Sequence, residues 1–173
     1  MKIKVAALCP STELDCVKGQ MVHRYAYAGD SLAVAVKRAN AFTDRGVELL
    51  RRAAADGARI ACLPEGLPNL GRWRQTAPIA IKQEAWKRTW AHFLRRMSGA
   101  ARETGLYLIA GAIEPKDGLF YNAACLFDPR GNRIGTYHKV QLAGGPAGEG
   151  KHLTPGDSLP VFSTPLGRIG MLI

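Results

Sequence analysis

Two residues in this chain sit where a strand end can hold a reactive group. Glu65 follows the apolar run Ile60-Ala61-Cys62-Leu63 and then Pro64. Burial raises a carboxyl pKa and a neighbouring cation lowers it, so a carboxylate in such a setting can take a proton from a thiol or a water near neutral pH. The same position also suits an ordinary solvent-exposed loop acid. Lys139 ends the run Gly135-Thr136-Tyr137-His138-Lys139. A lysine held there and partly desolvated can stabilise a developing oxyanion, although hairpin-end lysines without a role are common. His138 invites a Cys–His pairing. It alternates with Lys139 along a strand, so the two point to opposite faces, and no cysteine lies near it in a nucleophile context. Asn122, in Tyr121-Asn122-Ala123-Ala124, and Glu149, ahead of Thr154-Pro155-Gly156-Asp157, are polar residues beside apolar strands. Each says little by itself.

The cysteines add no site of their own. Cys9, Cys16, Cys62 and Cys125 form no C-x-x-C pair, which removes the usual zinc and redox spacings. Cys9, Cys62 and Cys125 lie in apolar, strand-like runs and read as small buried hydrophobes.

The elements that must position these residues follow from the pattern. Residues 2–9 read as a strand and residues 10–30 as a polar surface loop, whose His23, Arg24, Tyr25 and Tyr27 could otherwise line a pocket or a subunit contact. Asp30 is placed to cap a helix running to about residue 55, with Leu32, Val36, Ala39, Leu50 and Ala53 near one face and Gly57 as its stop. A strand covers 58–63. After a Gly- and Pro-rich loop over 66–80, a second helix covers 83–104, with Trp86, Trp90, Phe93, Met97 and Ala101 as a core stripe and Gly105 as its end. A strand follows over 106–113. Strands 119–127 and 133–139 are joined by the turn at 128–132, and a short hairpin pairs 161–163 with 168–173 around Pro165-Leu166-Gly167. The order β-α-β-α-β and then hairpins predicts an α/β layered fold of mixed sheets.

The 173 residues suit one domain, and 47% hydrophobic with 22% charged residues is the balance of a globular protein. No apolar run reaches the roughly 20 residues of a membrane helix. The N-terminal apolar run is too short for a secretion signal, so a cytoplasmic location is expected. The net charge is +10. Eight Lys and Arg stand against one acid, Glu84, over 72–102. Such a stripe can bind nucleic acid or anionic lipid. A solvated outer helix face accounts for it better, because no nucleic-acid module accompanies the charge.

Taken in order, the segments resemble the nitrilase superfamily of carbon–nitrogen hydrolases. The matches are Asn40, Gly57-Ala58 leading to Leu63-Pro64-Glu65, the Gly111 strand, Tyr121-Asn122-Ala123-Ala124, Asp128-Pro129-x-Gly131, Tyr137-His138-Lys139-Val140-x-Leu142, Glu149, Thr154-Pro155-Gly156-Asp157 and Gly167-Arg168-Ile169-Gly170-Met171-Leu172-Ile173. The resemblance implies an α-β-β-α sandwich of mixed sheets. It implies a Glu-Lys-Cys site with Glu65 as base, Lys139 as oxyanion stabiliser and Glu149 as an accessory carboxylate.

In the family the strand matching 167–173 is followed at once by the nucleophilic cysteine, so residues 1–173 are expected to be the N-terminal part of a single hydrolase domain, incomplete at its C-terminus and inactive alone. The implied chemistry is thioester-forming hydrolysis of an amide, N-carbamoyl or nitrile substrate, with amides or carbamoyl compounds favoured. It requires neither metal nor organic cofactor. The resemblance further implies a homo-oligomer when the domain is complete. The alternatives are a non-catalytic binding or structural protein of the same fold and, less favoured, a basic nucleic-acid-binding domain.

Overall fold

The computed structural model describes residues 2–10, 14–17, 20–23, 29–68, 70, 76–144 and 148–173. Two long helices form one layer. Helix α1, Leu32–Ala55, is capped by Ser31, whose hydroxyl accepts from the Val34 N–H at 3.4 Å. The cap is therefore Ser31, and Asp30 pairs with Arg38 at 3.3 Å instead. The helix ends where Gly57 turns left-handed, at φ 80°. Helix α2, Ile79–Thr104, starts directly after Pro78, earlier than the aromatic stripe indicates, and stops at the left-handed Gly105. Trp86, Trp90, Phe93, Met97 and Ala101 are all buried. On α1 the core face is carried by Ala39, Phe42, Val47, Leu50 and Ala53, while Leu32 and Val36 are half-buried.

The second layer is a five-stranded mixed sheet of β1 (Val5–Ala7), β4 (Ile60–Cys62), β5 (Tyr107–Lys116), β6 (Leu119–Phe127) and β7 (Arg133–His138), side by side in that order. Strand β4 runs parallel to β1 and β5, each pair joined across a helix, and β5-β6-β7 is an antiparallel meander. The β5–β6 turn is Asp117-Gly118, with φ 51° and 78°; positive φ at both turn residues matches the right-handed twist of a hairpin. At the β6–β7 turn the Asp128 carboxylate accepts the Arg130 and Asn132 N–H groups at 2.8 and 2.9 Å.

The two faces of this sheet carry separate cores. Leu108, Ala110, Ala112, Cys125 and Phe127 face the helices. Tyr107, Ala124, Leu126 and Tyr137 face a short hairpin, β8 (Val161–Thr164) and β9 (Gly167–Gly170), through Phe162, Leu166, Ile169 and Met171. Phe162 lies so close over β7 that a Cβ on Gly135 would stand 2.5 Å from its ring. The layers run helix, five-stranded mixed sheet and two-stranded antiparallel hairpin, a mixed α/β architecture that follows the first three layers of the α-β-β-α order implied by the resemblance.

Within the segment read as a plain surface loop, Leu14–Val17 (β2) and Gln20–His23 (β3) pair as an antiparallel hairpin. Of the four residues singled out there, Arg24, Tyr25 and Tyr27 lie outside the described residues. The expected burial of Cys9 is not met: Cys9 is exposed, Cys62 is half-buried and Cys125 is buried. The basic helix surface is partly neutralised, with Arg88 on Glu84 and Arg96 with His92 on Asp44 of α1. No described helix is long and apolar enough to cross a membrane.

Candidate active site

Glu65 leaves the sheet just after β4, in a chain that stays anchored to β5. The Leu63 N–H donates to the Ile109 carbonyl and the Leu67 N–H to the Gly111 carbonyl, both at 2.8 Å. Gly111 lets this segment approach closely, since a Cβ there would stand 3.0 Å from Glu65 Cα and 3.1 Å from the Pro64 carbonyl oxygen. Gly66 then takes φ 61°, which turns the chain away.

Lys139 follows β7 directly. Its N–H donates to the Asn122 carbonyl at 2.8 Å, and its own carbonyl accepts from Gly156 at 2.9 Å. Asn122 stands in β6 opposite Ile113 and is 2% exposed. Glu149 opens the 3-10 turn Glu149–Lys151. Its N–H donates to the Ala143 carbonyl, and the Ala143 N–H returns a bond to Glu149 Oε2, both at 2.9 Å. That reciprocal pair closes the loop between β7 and the turn, so Glu149 reaches back over Lys139.

The side chains converge. Lys139 Nζ lies 3.0 Å from Glu65 Oε1 and 3.1 Å from Glu149 Oε2. Asn122 Nδ2 donates to Glu65 Oε1 at 2.5 Å and to Glu149 Oε1 at 2.7 Å. The two carboxylates differ in what is left over. Both oxygens of Glu149 are taken and its side chain is 13% exposed. Glu65 Oε1 carries both donors, Oε2 has no partner among the described residues, and the side chain is 48% exposed. Glu65 can therefore exchange a proton with a ligand, whereas Glu149 is held as a fixed anion.

Electrostatics follow the geometry. Desolvation opposes the Lys139 charge, but the bonds to Glu65 and Glu149 outweigh it and raise its pKa above the ordinary lysine value. Desolvation likewise opposes the Glu149 charge, and the Ala143 N–H, Asn122 and Lys139 together bring its pKa below the usual carboxylate value. His138 points to the other face, where its Nε2 lies 2.7 Å from Glu114 and Arg133 donates to the same carboxylate.

A cavity of about 530 Å3 opens beside the cluster. Glu65, Asn122, Lys139 and Glu149 line its polar side, and Pro68, Leu70, Trp86 and Ile113 its apolar side. Trp86 thus serves the pocket as well as the helix core. A second cavity of about 360 Å3 lies between Cys62, Glu65, Gly111 and residues 170–173. Cys62 belongs to this second space, and burial pushes its thiol pKa up. Among the described residues no group of three or more His, Cys, Asp and Glu side chains could hold a metal ion. The sequence alone gives no role to Asn122 or to the Ala143 N–H: Asn122 meets Glu65 across the β4-β5-β6 sheet and Glu149 through the loop after β7, and the Ala143 N–H meets Glu149 when that loop closes.

Residues 31–173 match the carbon-nitrogen hydrolase family. The chain belongs to that family. Its relatives include omega-amidase NIT2 of Homo sapiens, 32% identical over 136 residues, which are 73% of this chain and 46% of that protein. Omega-amidase NIT2 of Xenopus tropicalis is 31% identical over 137 residues, 74% of this chain and 47% of that protein. The chain spans about half the length of these curated relatives. Among solved structures, an amidase from Nesterenkonia sp. superposes with a TM-score of 0.64 at 26% identity, covering 78% of this chain and 49% of that one. A carbon-nitrogen hydrolase from Helicobacter pylori reaches a TM-score of 0.72 over 98% of this chain and 51% of that one, and at 21% identity shares the fold.

Proposed function

We propose that the full-length protein hydrolyses the carbon–nitrogen bond of small amides through a cysteine thioester, with residues 1–173 forming the N-terminal part of one hydrolase domain. The observation that carries this reading is the Lys139 ammonium held between two carboxylates of unequal freedom at the mouth of a cavity. The nucleophile in this reading is a cysteine directly following Ile173. Residues 170–173 run along the smaller cavity that Glu65 also borders, so a thiol there would stand on the Glu65 side of the cluster. One mutant of the Nesterenkonia amidase has been described with the acetamide moiety of fluoroacetamide added covalently at its active site cysteine, and another, a cysteine-to-alanine mutant, in complex with butyramide; these support the nucleophile and the substrate class respectively.

Glu65 takes the thiol proton, and the thiolate attacks the amide carbonyl carbon. In this reading the Lys139 ammonium compensates the negative oxygen of the tetrahedral intermediate. Collapse breaks the C–N bond, and Glu65 returns its proton to the departing ammonia or amine. Glu65 then takes a proton from a water that attacks the thioester, and the second collapse releases the acid and restores the thiol. Glu149 holds Lys139 in place and charged. The wall of Pro68, Leu70, Trp86 and Ile113 suits a small, apolar acyl group.

The test is ammonia release from a panel of primary amides, N-carbamoyl amines and nitriles, with the full-length protein and residues 1–173 assayed side by side. Turnover of aliphatic amides by the full-length protein and none by residues 1–173 is expected. Silence of the full-length protein on the whole panel would overturn the reading. Turnover by residues 1–173 that survives Cys62→Ala and is lost in Glu65→Gln would overturn the thioester step.

A further inference from the structure

Glu65 and Glu149 come from segments far apart in the chain, and two carboxylates meeting one ammonium leave the cluster with a net negative charge. Their mutual repulsion favours separation, and separation would cost Lys139 one of its two partners. Asn122 stands between them. Both carboxylates accept from the same atom, Asn122 Nδ2, at 2.5 and 2.7 Å. Its two hydrogens are thereby used, and Oδ1 has no partner among the described residues. The reverse orientation of the amide would set a carbonyl oxygen against two carboxylates, so the electrostatics fix which way it points.

We propose that Asn122 is a positioning residue for Glu65 and Glu149, a neutral two-donor clamp that sets the spacing of the two carboxylates around Lys139 and leaves Glu65 Oε2 as the oxygen free to move a proton. The function it serves rests on the amidase reading. The required side chain is narrowly defined: uncharged, with two N–H donors on one atom, and short enough to act from the middle of β6. Aspartate at 122 would add a third negative group, serine would supply one donor, and alanine none. The clamp is also rigid. Asn122 is 2% exposed, is paired with Ile113 in the sheet, and its carbonyl accepts the Lys139 N–H at 2.8 Å. A site group mounted on a strand interior keeps its geometry better than one on a loop. Asn122 is among the contacts that hold Glu149 ionised. The charged groups facing it are Glu65, Lys139 and Glu149; Glu114, Arg133 and His138 lie on the opposite face of the strands.

The experiment combines carboxyl 13C NMR titration with steady-state kinetics on the full-length protein and its Asn122→Ala, Asn122→Ser and Asn122→Asp variants. Loss of a hydrogen bond to a charged group should move the Glu149 titration upward by about one unit in the alanine variant. The kcat should fall about tenfold or more while KM changes by less than about threefold, because the lost geometry is needed mainly at the chemical step. The acidic limb of the kcat profile should move upward with the titration. Serine should lie between wild type and alanine, and aspartate should be the least active. Serine also serves as the readout if the alanine variant does not fold. A merely structural role would lower thermal stability and leave the titration and the pH profile in place, and that result would overturn the proposal. So would an aspartate variant as active as the serine variant. A silent wild type whose Glu149 titration still moves in Asn122→Ala would support the clamp and overturn the amidase reading, which keeps the two failures distinguishable.

Discussion

Lys139 is the residue on which the local electrostatics turn. Its side chain is only 12% exposed, and two charge-assisted contacts offset the desolvation. Replacing it with methionine leaves Glu65 and Glu149 close together without a cation. The expected loss at pH 7 is about 1–3 kcal/mol of unfolding free energy, measured by urea unfolding, and it should shrink as the pH falls far enough to protonate Glu149.

The wild-type pH dependence has a definite sign at both ends. The folded-state pKa of Glu149 is depressed, so its contribution is present above the ordinary value of 4.5 and is lost as pH falls through the folded value. That of Lys139 is raised, so its contribution is present below 10.5 and is lost as pH rises through the folded value. Unfolding midpoints should therefore fall away on both sides of that window. A flat profile from pH 3 to 7 would count against the fixed anion at Glu149.

The thiols give a separate check. Burial raises the Cys125 pKa to about 11, while Cys9 is exposed. An alkylating reagent at pH 8 should modify Cys9 and leave Cys125 unmodified until the protein unfolds, with modified peptides read by mass spectrometry. At this scale the sequence was partly legible. Glu65 and Lys139 could be singled out because apolar strands deliver them to strand ends. Asn122 and the Ala143 N–H could not, because their partners come from segments distant in sequence: Glu65 across the sheet for Asn122, and Glu149 from the loop after β7 for both.

At the scale of elements, the site depends on the approach between β5 and the segment after β4. Gly111→Ala would place a methyl group 3.0 Å from Glu65 Cα and 3.2 Å from the Gly66 N. Those are backbone atoms, so the Glu65 segment must shift rather than a side-chain tip. A displacement of a few tenths of an ångström at a proton-transfer group should reduce kcat by about tenfold or more with a smaller change in unfolding free energy. An alanine variant with unaltered kcat would mean that Glu65 does not depend on this contact.

The helices were read from their 3.6-residue stripes and glycine stops, but the start of α2 was not. Residues 79–82 precede the aromatic stripe, and their helical state follows from the Pro78 entry rather than from periodicity. The β5–β6 hairpin was also not recognised as one: Asp117-Gly118 is a strong turn pair, yet the apolar runs on both sides read as separate strands. The β2–β3 hairpin leaves little signal because each strand is only four residues long, Leu14–Val17 and Gln20–His23, too short for a pattern of alternation to stand out.

For the whole molecule, the succession β-α-β-α-β and then hairpins points to an α/β layered fold of mixed sheets, whereas the order of the layers is what the family resemblance implies; an unbroken apolar strand such as the one before Glu65 asks for cover on one or both faces. The helices supply one cover and the β8–β9 hairpin part of the other. Val5, Leu159, Val161 and Leu172 remain exposed at 63%, 66%, 51% and 76%. Val5 lies on an edge strand of the large sheet and Val161 on the hairpin. Apolar groups on open strand edges promote pairing between chains. Residues 1–173 expressed alone should therefore self-associate, with a mass by light scattering above that of the 18.7 kDa monomer. A monodisperse monomer that unfolds cooperatively would contradict this.

The proposed function turns on Glu65, held by Lys139 and Asn122 with Oε2 unpartnered among the described residues, as the group that moves the proton in carbon–nitrogen bond hydrolysis. Its most direct test is kcat/KM for ammonia release from a small aliphatic amide by the full-length protein and its Glu65→Gln variant. Glutamine keeps the size and an acceptor for Lys139 but removes the ionisable group. A fall of about a thousandfold or more is expected, with the thermal unfolding midpoint nearly unchanged. A Glu65→Gln protein within about tenfold of wild type would contradict this role.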